Sequence, residues 1–227
     1  MLLLLLVILI LILFFNKNKI YENFNLTKKF KKIYIITPSL CREKLNKTCN
    51  SIYNQTYKNW EHIIMFDNVN NSKINKFLKK CKYKPTIIKG KWNNYGNGQR
   101  YDGWKNVKEN SIITYIDDDD YYIDNNVFKK IANKFASNKN LDVVFWEGMR
   151  FGELFNNKPP RKFKTMSNQF AHLKYDKFNK PIRWGKYNKN ESIPGRDGDF
   201  VNKLVKNYNY SYIDEPLVVV EAESKGK

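Results

Sequence analysis

Asp117, Asp118, Asp119 and Asp120 follow directly on the apolar run IITYI at residues 112–116, and this junction constrains the chain more than any other feature. A buried strand does not end in that much negative charge unless something neutralises it. Hard divalent cations bind carboxylate oxygens and leave positions open for phosphate. In open α/β sheets, ligands sit beyond the carboxyl ends of the strands. The junction therefore predicts a metal and nucleotide site. The plainer alternative is a solvated acidic turn leading into a helix from about Asn125.

The sequence around the aspartates alternates strand and helix signals as a mostly parallel sheet with helices on both faces requires. Ile33 to Thr37 are a continuous apolar strand stopped at Pro38. Glu43 to Gln55 carry Leu45, Cys49, Ile52 and Tyr53 at helical spacing, and His62 to Phe66 form a second strand ending at Asp67. Ser72 is positioned to cap a helix with Ile74, Phe77, Leu78 and Cys81 on its inner face. Thr86 to Lys89 read as a third strand. Gly96 to Gly98 open a helix with Trp104 and Val107 inward, and another helix carries Val127, Ile131 and Phe135 before a strand from Val143 to Trp146. Beyond Gly148, Pro159, Pro160, Pro181 and Pro194 break the pattern into loops, short strands and one helix from Phe200 to Lys206. The expected organisation is a single domain over residues 33–227, with a nucleotide-binding half at 33–147 and an acceptor-side half at 148–220.

The 227 residues, 42% hydrophobic and 15% aromatic, suffice to bury one sizeable core. The net charge of +19 favours anionic partners without choosing among them. Most of the excess is lysine spread along the chain, which reads as a solvated basic surface. Arginine stands only at positions 42, 100, 150, 161, 183 and 196, and its bidentate fork makes those six more informative. Cys41, Cys49 and Cys81 show no metal spacing and read as small core residues in a reducing compartment. His62 and His172 are expected to be structural, so carboxylates must carry any chemistry.

Residues 2–15, LLLLLVILILILFF, are uninterrupted apolar sequence followed by Asn16, Lys17, Asn18 and Lys19. The run lacks a basic leader and a small-residue cleavage site. It therefore reads as a short retained membrane helix over 1–16 rather than a cleaved signal. Residues 17–32 form a basic tether, and the lysines after the run place the body on the cytoplasmic side.

Three segments resemble glycosyltransferase family 2, of the GT-A fold. They are IITPSLCREKLNKTCNSIYNQTYKNWEHIIMFDN at 35–68, GNGQRYDGWKNVKENSIITYIDDDDYY at 96–122 and PGRDGDFVNKL at 194–204. The resemblance implies that Asp67, Pro38 and Arg42 line the donor nucleotide pocket with Arg100 nearby. It implies that Asp117 and Asp119 form an Asp-x-Asp metal and ribose site, with Asp118 between them on the nucleotide-sugar side. Asp197 is the implied general base. The implied activity is inverting sugar transfer, with Mn²⁺ or Mg²⁺ as cofactor. A nucleotide sugar, most commonly of UDP, is the implied donor, and a glycan, lipid or protein hydroxyl the acceptor. Arg196 departs from the family, which usually has Glu before the catalytic Asp, and Asp199 is a rival base. Positive charge beside Asp197 is expected to lower its pKa.

The chemistry has its own logic. Loss of a nucleoside diphosphate builds negative charge that a metal neutralises, while a carboxylate on the opposite face takes the acceptor proton. Trp146, Trp184 and Tyr187 have faces capable of stacking on sugar rings, although core or loop packing is the simpler role. Two other classes fit some of the features. One is a metal-dependent nuclease or phosphotransferase. The other is a membrane-tethered binding protein without catalysis. No specific nucleic-acid partner is expected.

Overall fold

The computed structural model describes residues 31–92, 96–155, 158–161, 164–185 and 196–221. The membrane segment, most of the tether, Pro194 and Tyr187 lie outside the described residues. The elements run β1 (Ile33–Ser39), α1 (Leu45–Tyr53), β2 (Trp60–Asp67), α2 (Asn71–Leu78), β3 (Thr86–Gly90), α3 (Asn97–Lys105), β4 (Ile112–Tyr115), β5 (Tyr121–Tyr122), α4 (Val127–Ser137), β6 (Val143–Arg150), β7 (Glu153–Phe155), β8 (Phe170–Leu173), α5 (Arg196–Asn207) and β9 (Tyr210–Val220).

One sheet of nine strands runs through both halves in the order β3-β2-β1-β4-β8-β6-β9-β5, with β7 pairing β6. Strands β3, β2, β1 and β4 are parallel, as expected. The sheet as a whole is mixed, which corrects the mostly parallel expectation. Strand β8 lies antiparallel between β4 and β6, β7 is antiparallel to β6, and β5 is antiparallel to β9. The physical reason is that, among the described residues, no crossover helix stands between β6 and β7 or β7 and β8 to bring the chain back in the same direction.

Strand β1 shows why this sheet is covered on both faces. All seven of its residues are buried. Ile33 and Ile35 pack with Ile52 of α1 and Val127, Phe128 and Ile131 of α4. Tyr34 and Ile36 pack on the opposite face with Trp104 of α3 and Phe200, Val201 and Leu204 of α5. Alternate residues of a strand point to opposite faces, so an unbroken apolar strand needs helices on both sides. Each fully buried isoleucine or phenylalanine contributes roughly 1.5–3 kcal/mol.

Helix α1 buries Leu45, Thr48, Cys49 and Ile52, one stripe at helical spacing. Helix α2 starts differently from expectation. Asn70, not Ser72, is the cap: its backbone is extended and its Oδ1 accepts from the Lys73 amide at 2.8 Å. Helix α3 lies against β1 so closely that a Cβ on Gly103 would come 2.8 Å from Cγ2 of Ile36. His62 and His172 are structural, as expected. His62 Nε2 lies 2.8 Å from Thr37 Oγ1, and His172 Nε2 lies 2.9 Å from the Tyr115 hydroxyl. Burial holds them neutral, with pKa values of about 3 and about 4. Cys41 and Cys49 are buried and all three thiols are free, in keeping with their expected role. Among the described residues, no helix is long and apolar enough to cross a membrane.

Candidate active site

The chain runs outward from β1 through β2 to β3, then returns to the other side of β1 as β4. That reversal opens a crevice at the carboxyl ends of β1 and β4. The register places Ser39 opposite Phe66, and Asp67 opposite Gly90. Ile116 donates to the Ile36 carbonyl at 3.2 Å, which delivers the aspartates to the same edge. Asp67 at the end of β2 and Asp117 just beyond β4 thus lie on the same edge, two strands apart with β1 between them. Asp67 accepts from the Trp92 amide at 2.9 Å. Pro38 and Arg42 flank the end of β1 on this edge.

The four aspartates divide by exposure. The side chain of Asp117 is 40% exposed and that of Asp119 14%, while Asp118 and Asp120 are buried. The first pair faces the opening. The buried pair holds the turn together. Asp118 Oδ2 accepts from Ser39 Oγ at 2.7 Å and from the Leu40 amide at 3.0 Å, and its Oδ1 accepts from Arg42 Nη1 at 3.0 Å. Its expected nucleotide-sugar role thus competes with a clasp on the end of β1. Asp120 accepts from Asn168 Nδ2 and from the Glu221 amide. A polar row, Thr48 and Ser51 on α1 with Gln55 just past its end, fastens the segment after the aspartates. Thr48 Oγ1 donates to the Asp120 carbonyl at 2.7 Å, Ser51 Oγ accepts from the Tyr122 amide at 3.2 Å, and Gln55 Oε1 accepts from the Phe128 amide at 3.0 Å.

Replacing Asp118 by Ala takes the acceptor from the Ser39 hydroxyl and the Leu40 amide and one partner from Arg42. It is expected to cost about 2–4 kcal/mol, or roughly 5–15 °C in Tm, by calorimetry. Asp118→Ala melting within 2 °C or so of wild type would show that the clasp adds little.

Arg100 links the two halves of the site. Its buried guanidinium donates to Asp117 through Nη2 and to Ser167 Oγ at 2.9 Å, and its Nη1 lies 3.9 Å from Asp197 Oδ1. The same group lies over the Trp184 ring at 5.3 Å from its centroid. Gly96 makes room for it. There φ is +85°, and a Cβ would stand 2.7 Å from Nη1. Helix α5 carries Asp197 and Asp199 in its first turn, where its dipole favours negative charge. Of these two, Asp197 is the one Arg100 reaches. Arg42 Nη1 also contacts Asp119 Oδ2 at 3.2 Å.

Burial first, and then crowding of the carboxylates, sets their acidity. Burial, with Asp117 and Asp118 adding to it, raises Asp119 to about 6. Burial raises Asp118, with Ser39 and Arg42 opposing. Asp197 is also raised, against the expectation of a lowered pKa. Protein atoms surround it although its side chain is 39% exposed, so burial outweighs the attraction of Arg100, and Asp117 adds repulsion. The side chain of Arg196 lies outside the described residues.

The donor set fits a hard cation shared with phosphate. Asp117 and Asp119 offer oxygens to the opening, and their repulsion is what a cation relieves. Among the described residues, no group of three or more His, Cys, Asp or Glu forms a complete metal cage. Two carboxylates leave the remaining positions to water and diphosphate, as Mg²⁺ sites commonly do. Of the aromatic candidates, Trp146 is fully buried and donates to the Asn168 carbonyl at 2.9 Å, so it cannot stack on a sugar. Trp184 is 3% exposed and packs on Tyr115, Phe200 and Arg100.

Sequence reasoning missed Ser39, Thr48, Ser167 and Asn168. Thr48 and Ser51 of α1 and Gln55 just beyond it, spaced three and four apart, were the available signal for this fastening.

A nucleotide-type crevice rimmed by carboxylates on a mixed α/β sheet is the arrangement of the GT-A fold, and solved structures agree. The S. aureus TarS 1-349 structure in complex with UDP-GlcNAc superposes with a TM-score of 0.64 at 17% identity, covering 86% of this chain and 60% of that one. The mannosyltransferase PcManGT from Pyrobaculum calidifontis, in complex with GDP-Man and Mn²⁺, superposes with a TM-score of 0.57 at 12% identity, covering 87% and 59%. The chain spans 37% of the longer TarS structure. Residues 34–188 match the family model described as glycosyl transferase family 2. The chain belongs to that family. Comparison with curated proteins gives no match.

Proposed function

We propose that this chain is a metal-dependent, inverting glycosyltransferase that moves a sugar from a nucleotide-sugar donor to an acceptor hydroxyl. A UDP-sugar is the first donor to test, since two structures of S. aureus TarS 1-349 are complexes with UDP-GlcNAc and with UDP. The observation that carries the reading is the Arg100 hub. It draws Asp117, at the cation end, and Asp197, at the proton-accepting end, onto one guanidinium.

In the proposed reaction the acceptor oxygen attacks the anomeric carbon as the bond to the diphosphate oxygen breaks, inverting that centre. Asp197 takes the hydroxyl proton. Its raised pKa makes it a better proton acceptor than an ordinary aspartate. Asp67 receives hydrogen bonds from the nucleoside, with Pro38 and Arg42 lining its pocket. Asp117 and Asp119 hold the cation. When bound, Mn²⁺ or Mg²⁺ supplies positive charge against the departing diphosphate. Arg100 keeps Asp197 and Asp117 from repelling each other and adds positive charge beside the diphosphate.

The apolar residues 2–15 are proposed to anchor the chain in a membrane with the body on the cytoplasmic side. A panel of UDP- and GDP-sugars, assayed for hydrolysis or transfer with and without Mn²⁺, tests the reading. Turnover of at least one donor that stops on chelation is expected. No turnover of any donor, with binding retained, would leave a binding protein of the same fold.

A further inference from the structure

The sheet has a second edge, opposite the acidic one. The starts of β1, β4, β6 and β9 and the end of β8 lie along it, since Ile33 pairs Ile112, Ile112 pairs Leu173, and Val143 pairs both His172 and Tyr210. The chain enters the described body here, at Lys31. Just after β8 a tight hairpin projects from this edge. Asp176 N donates to the Lys180 carbonyl at 2.9 Å, and Asn179 N donates to the Asp176 carbonyl at 3.0 Å. The Asp176 carboxylate accepts from the amides of Phe178 at 2.9 Å and Lys180 at 2.8 Å.

This well-bonded turn holds Phe178 out at 70% exposure, with Lys177 Nζ 5.1 Å from its ring centroid. Tyr210, 42% exposed, lies on the same edge. The local acids do not cancel the lysines: exposed Glu109, just before β4, acts on Lys174, which leaves Lys177 and Lys180 at the tip. Asp176 is turned inward onto its own amides, Asp142 accepts from the Asn209 amide at 3.1 Å, and Glu61 is paired with Lys32 at 3.4 Å. Lys177 and Lys180 face solvent. Lys31 and Lys177 both act on the Asp142 carboxylate, so the hairpin stands beside the point where the chain enters.

We propose that this edge is a membrane-contact surface, with Phe178 entering the interface of an anionic bilayer and Lys177 and Lys180 meeting its headgroups. An aromatic tip flanked by lysines suits the boundary between acyl chains and anionic headgroups. The sequence leading to Lys31 supplies the second argument for a bilayer as the occupant: an apolar run at 2–15 followed by Lys17, Lys19, Lys28 and Lys29. A second anchoring point fixes orientation where one tether does not. Because β1 has seven residues at about 3.3 Å each, the acidic cleft then stands roughly 20 Å from this edge, facing away from the lipid.

Hydrogen exchange of the full chain in nanodiscs tests the contact without using the sugar-transfer reading. Amides of residues 174–182 are expected to exchange about tenfold more slowly in discs containing phosphatidylserine than in phosphatidylcholine alone. Phe178→Ser combined with Lys177→Ser should abolish that difference while exchange in β1, β2 and β4 stays as in wild type. Equal exchange in both lipids, protection unaffected by the double substitution, protection by an oligonucleotide instead of lipid, or failure of the chain to enter discs would each overturn the proposal. A protein that shows the lipid effect but turns over no donor would separate this surface from the enzymatic reading.

Discussion

Asp197→Asn is expected to lower the rate of sugar transfer by about 10² to 10⁴ while leaving donor affinity nearly unchanged. The amide has the size of the carboxylate but cannot take a proton. Arg100 keeps its bonds to Asp117 and Ser167, so the variant should fold with a Tm close to wild type. The pH profile gives a readout that a structural role would not move. A base raised by burial puts the rising limb of kcat/KM, measured at saturating cation, above the ordinary carboxylate range, and that limb should vanish in the variant. Steady-state rates across pH 4 to 8, roughly spanning that limb, decide the point. If Asp197→Asn retains near-full activity, Asp197 is not the base and Asp199→Asn becomes the decisive variant.

The second large effect is on stability and follows from Asp119. A carboxyl raised to about 6 in the fold, against an ordinary value near 3.9, binds its proton more tightly folded than unfolded. Its contribution is therefore complete below about pH 4 and is lost as pH rises through about 6. Without a cation, Asp119→Asn should gain Tm relative to wild type as pH rises from about 4 to 7. Divalent cation reverses the sign. At 100 times its Kd, Mn²⁺ or Mg²⁺ is expected to stabilise wild type by about 2.7 kcal/mol, roughly 5–10 °C, near pH 8. The gain should shrink near pH 5, where protons compete, and disappear in Asp119→Asn. Scanning calorimetry with and without chelator measures all of these. A cation response that is independent of pH, or intact in Asp119→Asn, would place the metal elsewhere.

Much of this site was legible because its signals are local. An apolar run ending in aspartates, a glycine four residues before Arg100, and Asp67 at a strand end each depend on a few adjacent residues. What stayed hidden depends on register across the sheet. Ser39 and Thr48 are ordinary polar residues until β1 and α1 are laid beside the acidic turn. Strand β9 was obscured because Asp214, Glu215 and Pro216 interrupt its apolar pattern. The structure absorbs them in an irregular pairing in which Trp146 faces Ile213 but Glu147 faces Pro216. The reversed direction of β8 has no local signal either. The pKa of Asp197 was misjudged because sequence shows Arg196 beside it but not the cleft walls whose burial outweighs positive charge.

Calorimetric titration of a turned-over nucleotide sugar into wild type, Asp119→Asn and Asp197→Asn, each with and without Mn²⁺, tests the central claim most directly. Binding should require the cation in wild type, persist in Asp197→Asn although its turnover is lost, and fail in Asp119→Asn. Equal binding without the cation, or full binding by Asp119→Asn, would contradict a donor site built on the acidic end of β4.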